Sequence, residues 1–258
     1  MKFARWILLF TALDLAAIAG VYFALPNTIK LRDGVKLQRL NSDLKPFNFV
    51  AGPKNRSYVS LSQIPRALWL SVLELEDAKF FQHNGFDVDE IVNAVSNSIT
   101  RGKRLRGAST LTQQLAKNLY LSSERSFRRK IFEALITIKL ELTLPKRKIL
   151  EIYLNSIDWG HGIFGINDAS LHYFKKKAAD LNVRESVFLA AIIPNPARFG
   201  KIQDDQLPKK FVRIQMMRAL EGLYHSGEIK LEEYQKVMAA PYDFKTTYEF
   251  KKDDSTSL

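Results

Sequence analysis

Apolar side chains recur along most of the chain at the spacing of an α-helix. The first clear case follows Ser62, which is suited to cap a helix, and Pro65, which fits a first turn. The positions that then repeat on one face are Trp69, Val72, Leu73, Glu76 and Phe80. The pattern predicts a helix whose buried face contains one carboxylate.

The same period predicts two longer helices in the middle of the chain. One starts at Ser109, with an apolar stripe and an opposite polar face made of Gln113, Gln114 and Lys117. The next opens at Ser126 and ends at Pro145. Its predicted buried residues are Phe127, Ile131, Leu135, Ile138 and Leu142.

Two more helices are predicted on either side of a loop. The first runs from Lys146 to Asn155, and the second is a very apolar helix from Arg184 to Ile193 that ends at Pro194. The loop between them is indicated by Gly160, Gly162 and Gly165. The fold class is therefore mainly α.

Helix-breaking residues and polarity divide the rest of the chain. Residues 26–60 contain several prolines and glycines and are predicted to form a linker with one or two short strands. Residues 61–205 are predicted as the main folded unit. Residues 206–258 are expected to form a helical extension and a polar tail.

An apolar run from Trp6 to Leu25 predicts a membrane anchor. Its length is enough to span a bilayer as a helix, and residues 1–5, with Lys2 and Arg5, would remain on the cytoplasmic side. A cleaved signal peptide is the alternative, because Ala17 to Ala19 resembles a cleavage site. The retained anchor is preferred because the apolar run continues well past that site.

Composition excludes some chemistries and leaves others open. The 258 residues contain no cysteine, which rules out disulfides, thiolate metal sites and a catalytic thiol. The net charge of +12 suits nucleic acid, anionic lipid or phosphate-bearing substrates, and charge alone does not choose among them.

Glu76 is the first candidate for chemistry because it falls on a core-facing stripe. Burial raises the pKa of a carboxylate toward neutrality, as a general base or acid requires. The alternative is a glutamate at the edge of the apolar stripe whose carboxylate is exposed to solvent. The helical pattern alone does not decide between the two.

Five ordered segments bear on that choice because together they resemble the family 51 glycosyltransferases, which polymerise peptidoglycan. From Glu76 to Asp87, Glu-Asp is followed by Phe, His, Gly and Asp, as in the first signature of that family. Later segments similar to its other signatures are Gly107 to Asn118, Arg125 to Glu133, Ile149 to Asn155 and Glu185 to Pro196. The resemblance covers about residues 61–200.

The resemblance implies a lysozyme-like fold with a large lobe and a small membrane-proximal jaw at about residues 88–108. It also implies polymerisation of lipid II into β-1,4-linked glycan strands with release of undecaprenyl diphosphate. Glu76 would take the proton from the acceptor's 4-hydroxyl, and Glu133 would face it across the cleft. Asp77 and His83 are implied as supporting residues.

Cations and polar residues near the two glutamates are implied to bind the diphosphate and sugar. They are Ser109, Gln113, Gln114, Lys117, Asn118, Arg125, Arg129 and Lys130. For Glu133 two roles stay open: it holds a divalent cation, Mg²⁺ or Mn²⁺, on the diphosphate, or it positions Arg129 and Lys130.

An amphipathic stretch followed by basic residues predicts a membrane contact within the jaw. Apolar residues including Ile91 and Val95 precede the basic cluster Arg101, Lys103, Arg104 and Arg106. A loop with solvated charges is the alternative. The expected location is the bacterial inner membrane, single-pass, with the catalytic domain outside the cytoplasm.

The chain is too short after residue 205 for a transpeptidase domain of usual size, so the resemblance favours a monofunctional member. Its expected partners are lipid II, the nascent strand, the membrane, and transpeptidases or other divisome and elongation proteins. Nucleic acid is not expected. Two rivals stay open: a glycan-cleaving enzyme with paired carboxylates, and a non-catalytic scaffold that binds the lipid-linked precursor.

Overall fold

The computed structural model describes residues 19–40, 45–101, 109–122, 126–200, 208–240 and 242, and these are mainly helical. Two strands form a hairpin near the N-terminus, β1 (Val35–Leu40) and β2 (Pro46–Ala51). The helices are α1 (Arg66–Glu76), α2 (Val88–Arg101), α3 (Leu111–Tyr120), α4 (Phe127–Thr143), α5 (Lys146–Leu154), α6 (Ile166–Phe174), α7 (Val183–Ile192), α8 (Pro196–Phe199), α9 (Lys210–His225) and α10 (Leu231–Ala239).

The very apolar helix α7 lies at the centre of the core. All of its residues from Glu185 to Ile192 are buried, and α1 and α9 pack directly against it and against each other. A capping box between Asn182 and Glu185 closes its first turn. This arrangement gives α1 a rigid support on one side, and the C-terminal end of α1 carries Glu76.

The predicted helices of the middle segment are present, with boundaries shifted by one or two residues. α3 packs against both α4 and α5, and Leu111, Leu115 and Leu119 are buried as the pattern predicted. α1 starts at Arg66, with Pro65 as the residue before its first turn, rather than near Ser62. Helix α6 was not predicted from the sequence.

The burial predicted for α4 is wrong for four of its five residues, and the fifth, Leu135, is half-buried against the core. Phe127 is 82% exposed and Leu142 is 72% exposed, while Ile131 and Ile138 are each 46% exposed. The face turned inward is instead rich in polar residues, and each of these has a partner. Lys139, for example, donates from Nζ to the carbonyl oxygens of Tyr22 at 2.6 Å and Leu25 at 3.1 Å. Such partners make a polar helix face suitable for burial, and hydrophobic spacing cannot reveal them.

Residues 26–60 were predicted as a linker, but from Thr28 onward they pack on the folded unit. The Thr28 hydroxyl donates to the Lys139 carbonyl at 3.4 Å, and Arg32 Nη2 donates to the Thr143 carbonyl at 2.8 Å. The hairpin contributes buried Phe49 and Ala51. The one or two short strands predicted here are confirmed as β1 and β2, which pair antiparallel.

The C-terminal extension is also part of the core. α9 buries Val212, Met216, Ala219, Leu220 and Leu223 against α1 and α7. The folded unit therefore extends beyond residue 205, past the predicted boundary.

The predicted membrane segments fall only partly within the described residues. Of the anchor, residues 6–18 lie outside them, and residues 19–24 are helical and exposed. Over the described residues, the structure contains no helix of sufficient length and apolarity to span a bilayer. In α2 no side chain from Val88 to Thr100 is buried, Ile91 is half-buried and Val95 is exposed. Arg101 ends the helix, and Lys103, Arg104 and Arg106 lie outside the described residues.

Asn155 ties the segment before α1 to the end of α5. Its Oδ1 accepts from the Val59 amide at 2.9 Å, and its Nδ2 donates to the carbonyls of Val59 and Glu151, both at 2.8 Å.

Asn155→Ala leaves these backbone groups without their partner, so the free energy of unfolding should fall by about 2 to 4 kcal/mol in urea denaturation. Asn97→Ala, on the exposed face of α2, should change it by less than about 0.5 kcal/mol. Equal losses in the two variants would contradict this role.

Candidate active site

Glu76 is the last residue of α1 and lies half-buried at the edge of a cavity. Burial raises the pKa of its carboxyl above the usual 4.5, a hydrogen bond from Gln114 acts in the opposite direction, and the neighbouring charge of Asp77 raises it further. The prediction of a partly desolvated carboxylate at this position is therefore confirmed. Such a group is suited to accept a proton near neutral pH.

Asp77 fastens the end of α1 to the start of α3. Its Oδ2 accepts from the Leu111 amide at 2.9 Å, and its Oδ1 lies 2.8 Å from Nε2 of His83. His83 Nδ1 accepts from the Gly85 amide at 3.2 Å, so the proton of the neutral ring lies on Nε2, which donates to Asp77. Asp77 and His83 therefore lie where they can orient the end of α1 and the loop after it, and their supporting roles stay a prediction.

Thr110 closes the first turn of α3 and holds the His83 loop. Its hydroxyl donates to the Gly85 carbonyl at 2.7 Å and accepts from the Gln113 amide at 3.3 Å. Gly85 has φ of +89°, and a Cβ there would lie 2.8 Å from Cγ2 of Thr137. The close approach of this loop to α4 therefore requires glycine.

The polar face predicted for α3 is wrong in one member. Gln113 is 4% exposed, and its Oε1 accepts from the Thr110 amide to complete a capping box. Thr110 and Gln113 follow the threonine-x-x-glutamine pattern of such boxes, so the sequence contained the information. Gln114 and Lys117 differ: Gln114 is half-buried against Glu76, and Lys117 is exposed.

Gln114 connects the carboxylate to a residue that the sequence did not single out. Its Nε2 donates to Oε2 of Glu76 at 2.9 Å, and its Oε1 accepts from the Tyr153 hydroxyl at 2.8 Å. Tyr153 lies on α5 and is fully buried. Nothing in helical periodicity distinguishes it from an ordinary core tyrosine.

The cavity beside Glu76 has a volume of about 300 Å³ and opens between α1, the start of α2 and the start of α3. Its lining includes Ser109, one of the predicted substrate residues, and Arg218 of α9, which the sequence did not single out. Arg218 Nε lies 3.8 Å from Oε1 of Glu74. The acidic members of the lining are Glu74, Glu76, Asp77, Asp87 and Glu90. A neutral, hydroxyl-bearing sugar suits this wall better than a diphosphate does, because the carboxylates would repel an anion.

A second cluster lies in the first half of α4. Glu133 is 3% exposed and pairs with Arg129, whose Nη1 lies 2.8 Å from its Oε2, and with Lys130 through its Oε1. Because both carboxylate oxygens already face cations, this donor set does not fit a divalent metal ion. No group of three or more acidic or histidine side chains among the described residues is arranged to hold one. The pairing with Arg129 and Lys130 agrees with the alternative in which Glu133 positions the two cations, and a divalent cation on the diphosphate stays a prediction.

The remaining predicted substrate residues fall into different places. Lys117 is exposed near the end of α3, and Asn118 is half-buried, with its carbonyl accepting from Arg39 of β1. Arg125 lies outside the described residues. The predicted site residues that the structure describes thus fall into two main groups, an acid-lined cavity around Glu76 and a cationic cluster around Glu133.

Comparison with known proteins finds related sequences. A family model described as Transglycosylase matches residues 44–219. A biosynthetic peptidoglycan transglycosylase of Alcanivorax borkumensis is 38% identical over 247 residues, which cover 93% of this chain and 98% of that protein. One of Cupriavidus metallidurans is 46% identical over 157 residues, covering 61% of this chain and 67% of that protein.

Among solved structures, penicillin-binding protein 1A from Haemophilus influenzae matches with a TM-score of 0.38 and 17% identity, over 81% of this chain and 21% of that one. The family match, by contrast, starts within the N-terminal hairpin region and ends in α9, so it includes both clusters of the site. The chain belongs to the transglycosylase family.

Proposed function

We propose that the protein is a peptidoglycan glycosyltransferase that polymerises lipid II into glycan strands and releases undecaprenyl diphosphate. Family membership over residues 44–219 and relatives named biosynthetic peptidoglycan transglycosylases support the activity. The observation that carries the proposal is the half-buried Glu76, with its raised pKa and its bond to Gln114, at the wall of the cavity.

In the proposed reaction Glu76 removes the proton from the acceptor's 4-hydroxyl. The oxygen attacks the anomeric carbon of the donor sugar from the face opposite the diphosphate, so the configuration inverts from α to β. The proton moves to the Glu76 carboxylate, and the electron pair of the broken bond leaves with the lipid diphosphate. Desolvation of Glu76 favours this step because it makes the carboxylate a stronger base.

The leaving diphosphate gains negative charge as the bond breaks, and cations stabilise it. We assign this role to Arg129 and Lys130, held by Glu133 at the start of α4, together with Lys117 and Arg125. Glu133 lowers the freedom of two long side chains and leaves other guanidinium and ammonium protons to bind phosphate oxygens. A glycan hydrolase has no anionic leaving group that needs such a cluster.

We propose that catalysis takes place at the membrane surface, because the lipid of the substrate remains in the bilayer. α2 exposes one apolar face, with Val88 at 65%, Val92 at 60% and Ile99 at 79%. The basic cluster from Arg101 to Arg106 follows it directly. This helix and cluster form the proposed jaw of a lysozyme-like fold, and residues 6–25 form the proposed single-pass anchor of the inner membrane. Transpeptidases and elongation or division proteins are the proposed partners.

Glu76→Gln tests the base assignment. The amide keeps the size of the side chain and cannot take up the acceptor's proton, so glycan polymerisation should fall at least about a hundredfold while thermal stability stays close to wild type. The assay follows lipid-linked disaccharide-peptide into products resolved by size. Glu232→Gln, on the exposed part of α10, is the matched control and should keep full activity. Wild-type activity in Glu76→Gln would remove Glu76 from the mechanism.

Lys117→Ala and Arg125→Ala test the diphosphate role. Each removes one cation that acts on the ligand, so donor affinity should fall about tenfold while the free energy of unfolding changes by less than about 0.5 kcal/mol. Lys236→Ala, exposed on α10, provides the comparison and should keep donor affinity. Donor affinity equal to that of wild type would assign both cations a purely structural role.

A chain that begins at residue 21 keeps the Tyr22 and Leu25 carbonyls that accept from buried Lys139, and it tests the membrane contact. It should still bind vesicles that contain anionic phospholipid, and the binding should fall as salt rises, because exposed basic contacts are screened beyond about 8 to 10 Å at ordinary ionic strength. Replacing Arg101, Lys103, Arg104 and Arg106 by Gln should remove most of this binding. The control replaces Lys175, Lys177, Lys209 and Lys210, all exposed, by Gln and should bind as before. If the truncated chain does not bind the anionic vesicles at low salt, the membrane contact is contradicted and the alternative of a loop with solvated charges holds.

A further inference from the structure

A line of two hydrogen bonds joins the core of the protein to the proposed base. The Tyr153 hydroxyl donates to Oε1 of Gln114 at 2.8 Å, and Nε2 of Gln114 donates to Oε2 of Glu76 at 2.9 Å. The three side chains come from α5, α3 and α1, so each helix contributes one member. We call this line the Tyr153 relay.

Both ends of the relay select the same orientation of the Gln114 amide. An ionised carboxylate only accepts hydrogen bonds, so it requires the amide nitrogen to face Glu76. The Tyr153 hydroxyl can donate or accept, and here it donates to Oε1 of Gln114. A reversed amide would take this acceptor away, and the hydrogen bonds of the described residues offer the buried phenol proton no other. A reversed amide would bring Oε1 against the Glu76 carboxylate, and two acceptors would then be in contact without a proton between them.

Tyr153 is well suited to hold this orientation. Its ring is fully buried in α5, so its position is fixed by packing. Burial, with the charges of Glu76 and Asp77, keeps the pKa of the phenol well above its usual value of 10. The hydroxyl therefore keeps its proton at every pH at which Glu76 titrates, and it remains a donor to Gln114 throughout.

We propose that Tyr153 is a positioning residue for the glycosyltransferase reaction, whose hydroxyl fixes the Gln114 amide so that this amide orients the Glu76 carboxylate toward the acceptor. This inference rests on the proposed function of Glu76 as the base. Tyr153 itself does not touch the substrate. It acts through Gln114, which occupies Oε2 of Glu76 and leaves Oε1 for the acceptor's hydroxyl.

The relay also affects the proton affinity of Glu76. The bond from Gln114 stabilises the ionised form and lowers the pKa of the carboxyl, against burial and Asp77, which raise it. Other charged groups that line the cavity come from the end of α1, the loop after it, α2 and α9: Glu74, Lys79, Asp87, Glu90 and Arg218. Because Tyr153→Phe leaves all of these in place, a change in titration reports the loss of the relay.

The test compares Tyr153→Phe with wild type in the full-length chain. A free Gln114 amide donates less well, so the pKa of Glu76 should rise and the acid limb of the polymerisation rate should move to higher pH by about 0.5 to 1 unit. We expect kcat at neutral pH to fall about tenfold, as for the loss of one hydrogen bond, and KM for the donor to stay within about twofold. Tyr173→Phe is the matched control, since Tyr173 is also buried and donates to the Trp159 carbonyl at 2.8 Å outside the relay.

A double substitution separates the relay from a general loss of packing. In a Gln114→Ala background the Tyr153 hydroxyl has no amide to orient, so adding Tyr153→Phe should lower kcat by no more than about twofold further. A full tenfold further loss would show that Tyr153 acts by another route and would overturn the proposal. Wild-type kcat and an unmoved acid limb in Tyr153→Phe alone would overturn it as well.

Two measurements keep the proposal testable apart from Tyr153→Phe activity. Gln114→Leu keeps Tyr153 and removes both ends of the amide, so its acid limb should move in the same direction as that of Tyr153→Phe. This variant is measured if the folded Tyr153→Phe protein cannot be obtained. Carbon-13 NMR titration of the Glu76 carboxyl, assigned by its loss in Glu76→Gln, reads the pKa without any turnover. If the wild-type chain makes no polymer and Tyr153→Phe still raises the pKa of Glu76, the proposed function is contradicted and the relay is supported. Polymerisation by the wild-type chain, together with an unchanged Glu76 pKa in Tyr153→Phe, would support the proposed function and contradict the relay.

Discussion

The carboxylate of Asp77 is the contact on which the rest of the site depends. It accepts from the first amide of α3 and from His83, and so joins the end of α1, the loop after it and the start of α3. Thr110 completes the junction by holding Gly85 of the same loop. Helices α7 and α9 of the core hold α1 in place. The junction at Asp77 therefore fixes the position of Gln114 relative to Glu76. A proton-accepting group with a raised pKa is useful only when its orientation is fixed in this way.

The site separates two electrostatic tasks. Five of the eleven residues that line the cavity around Glu76 are acidic, and their charge disfavours an anion there. Burial, together with the charge of Asp77, raises the pKa of Glu76. The cluster around Glu133 gathers cations on α4, where a developing negative charge would be stabilised. A transferase that activates a neutral hydroxyl and expels a diphosphate needs both environments. The same pair of environments would serve a hydrolase poorly, since water attack on a glycan leaves no anion.

Much of the fold and the site could be predicted from the sequence. Helical period and capping residues located α1, α3, α4, α5 and α7 to within a few residues, because each has a strong apolar stripe or a clear breaker. The place of Glu76 on a core-facing stripe made it a candidate, and the resemblance of the segment from Glu76 to Asp87 to a family signature decided in its favour. The inner face of α4 could not be predicted, since Lys139 and Glu133 are buried only by virtue of partners distant in sequence or a turn away. Tyr153 was missed for a related reason: a single hydroxyl bond to Gln114 distinguishes it from a core tyrosine, and spacing contains no information about that bond.

The pH dependence of glycan polymerisation by the wild-type chain tests the account most directly. The substrate is lipid-linked disaccharide-peptide, and products are resolved by size at each pH. Our account predicts long glycan strands whose rate of formation falls on the acid side with a midpoint clearly above 4.5, because burial and Asp77 raise the pKa of Glu76. Release of short sugars in place of strands, or a rate that stays constant down to the pKa of an ordinary glutamate, would contradict it.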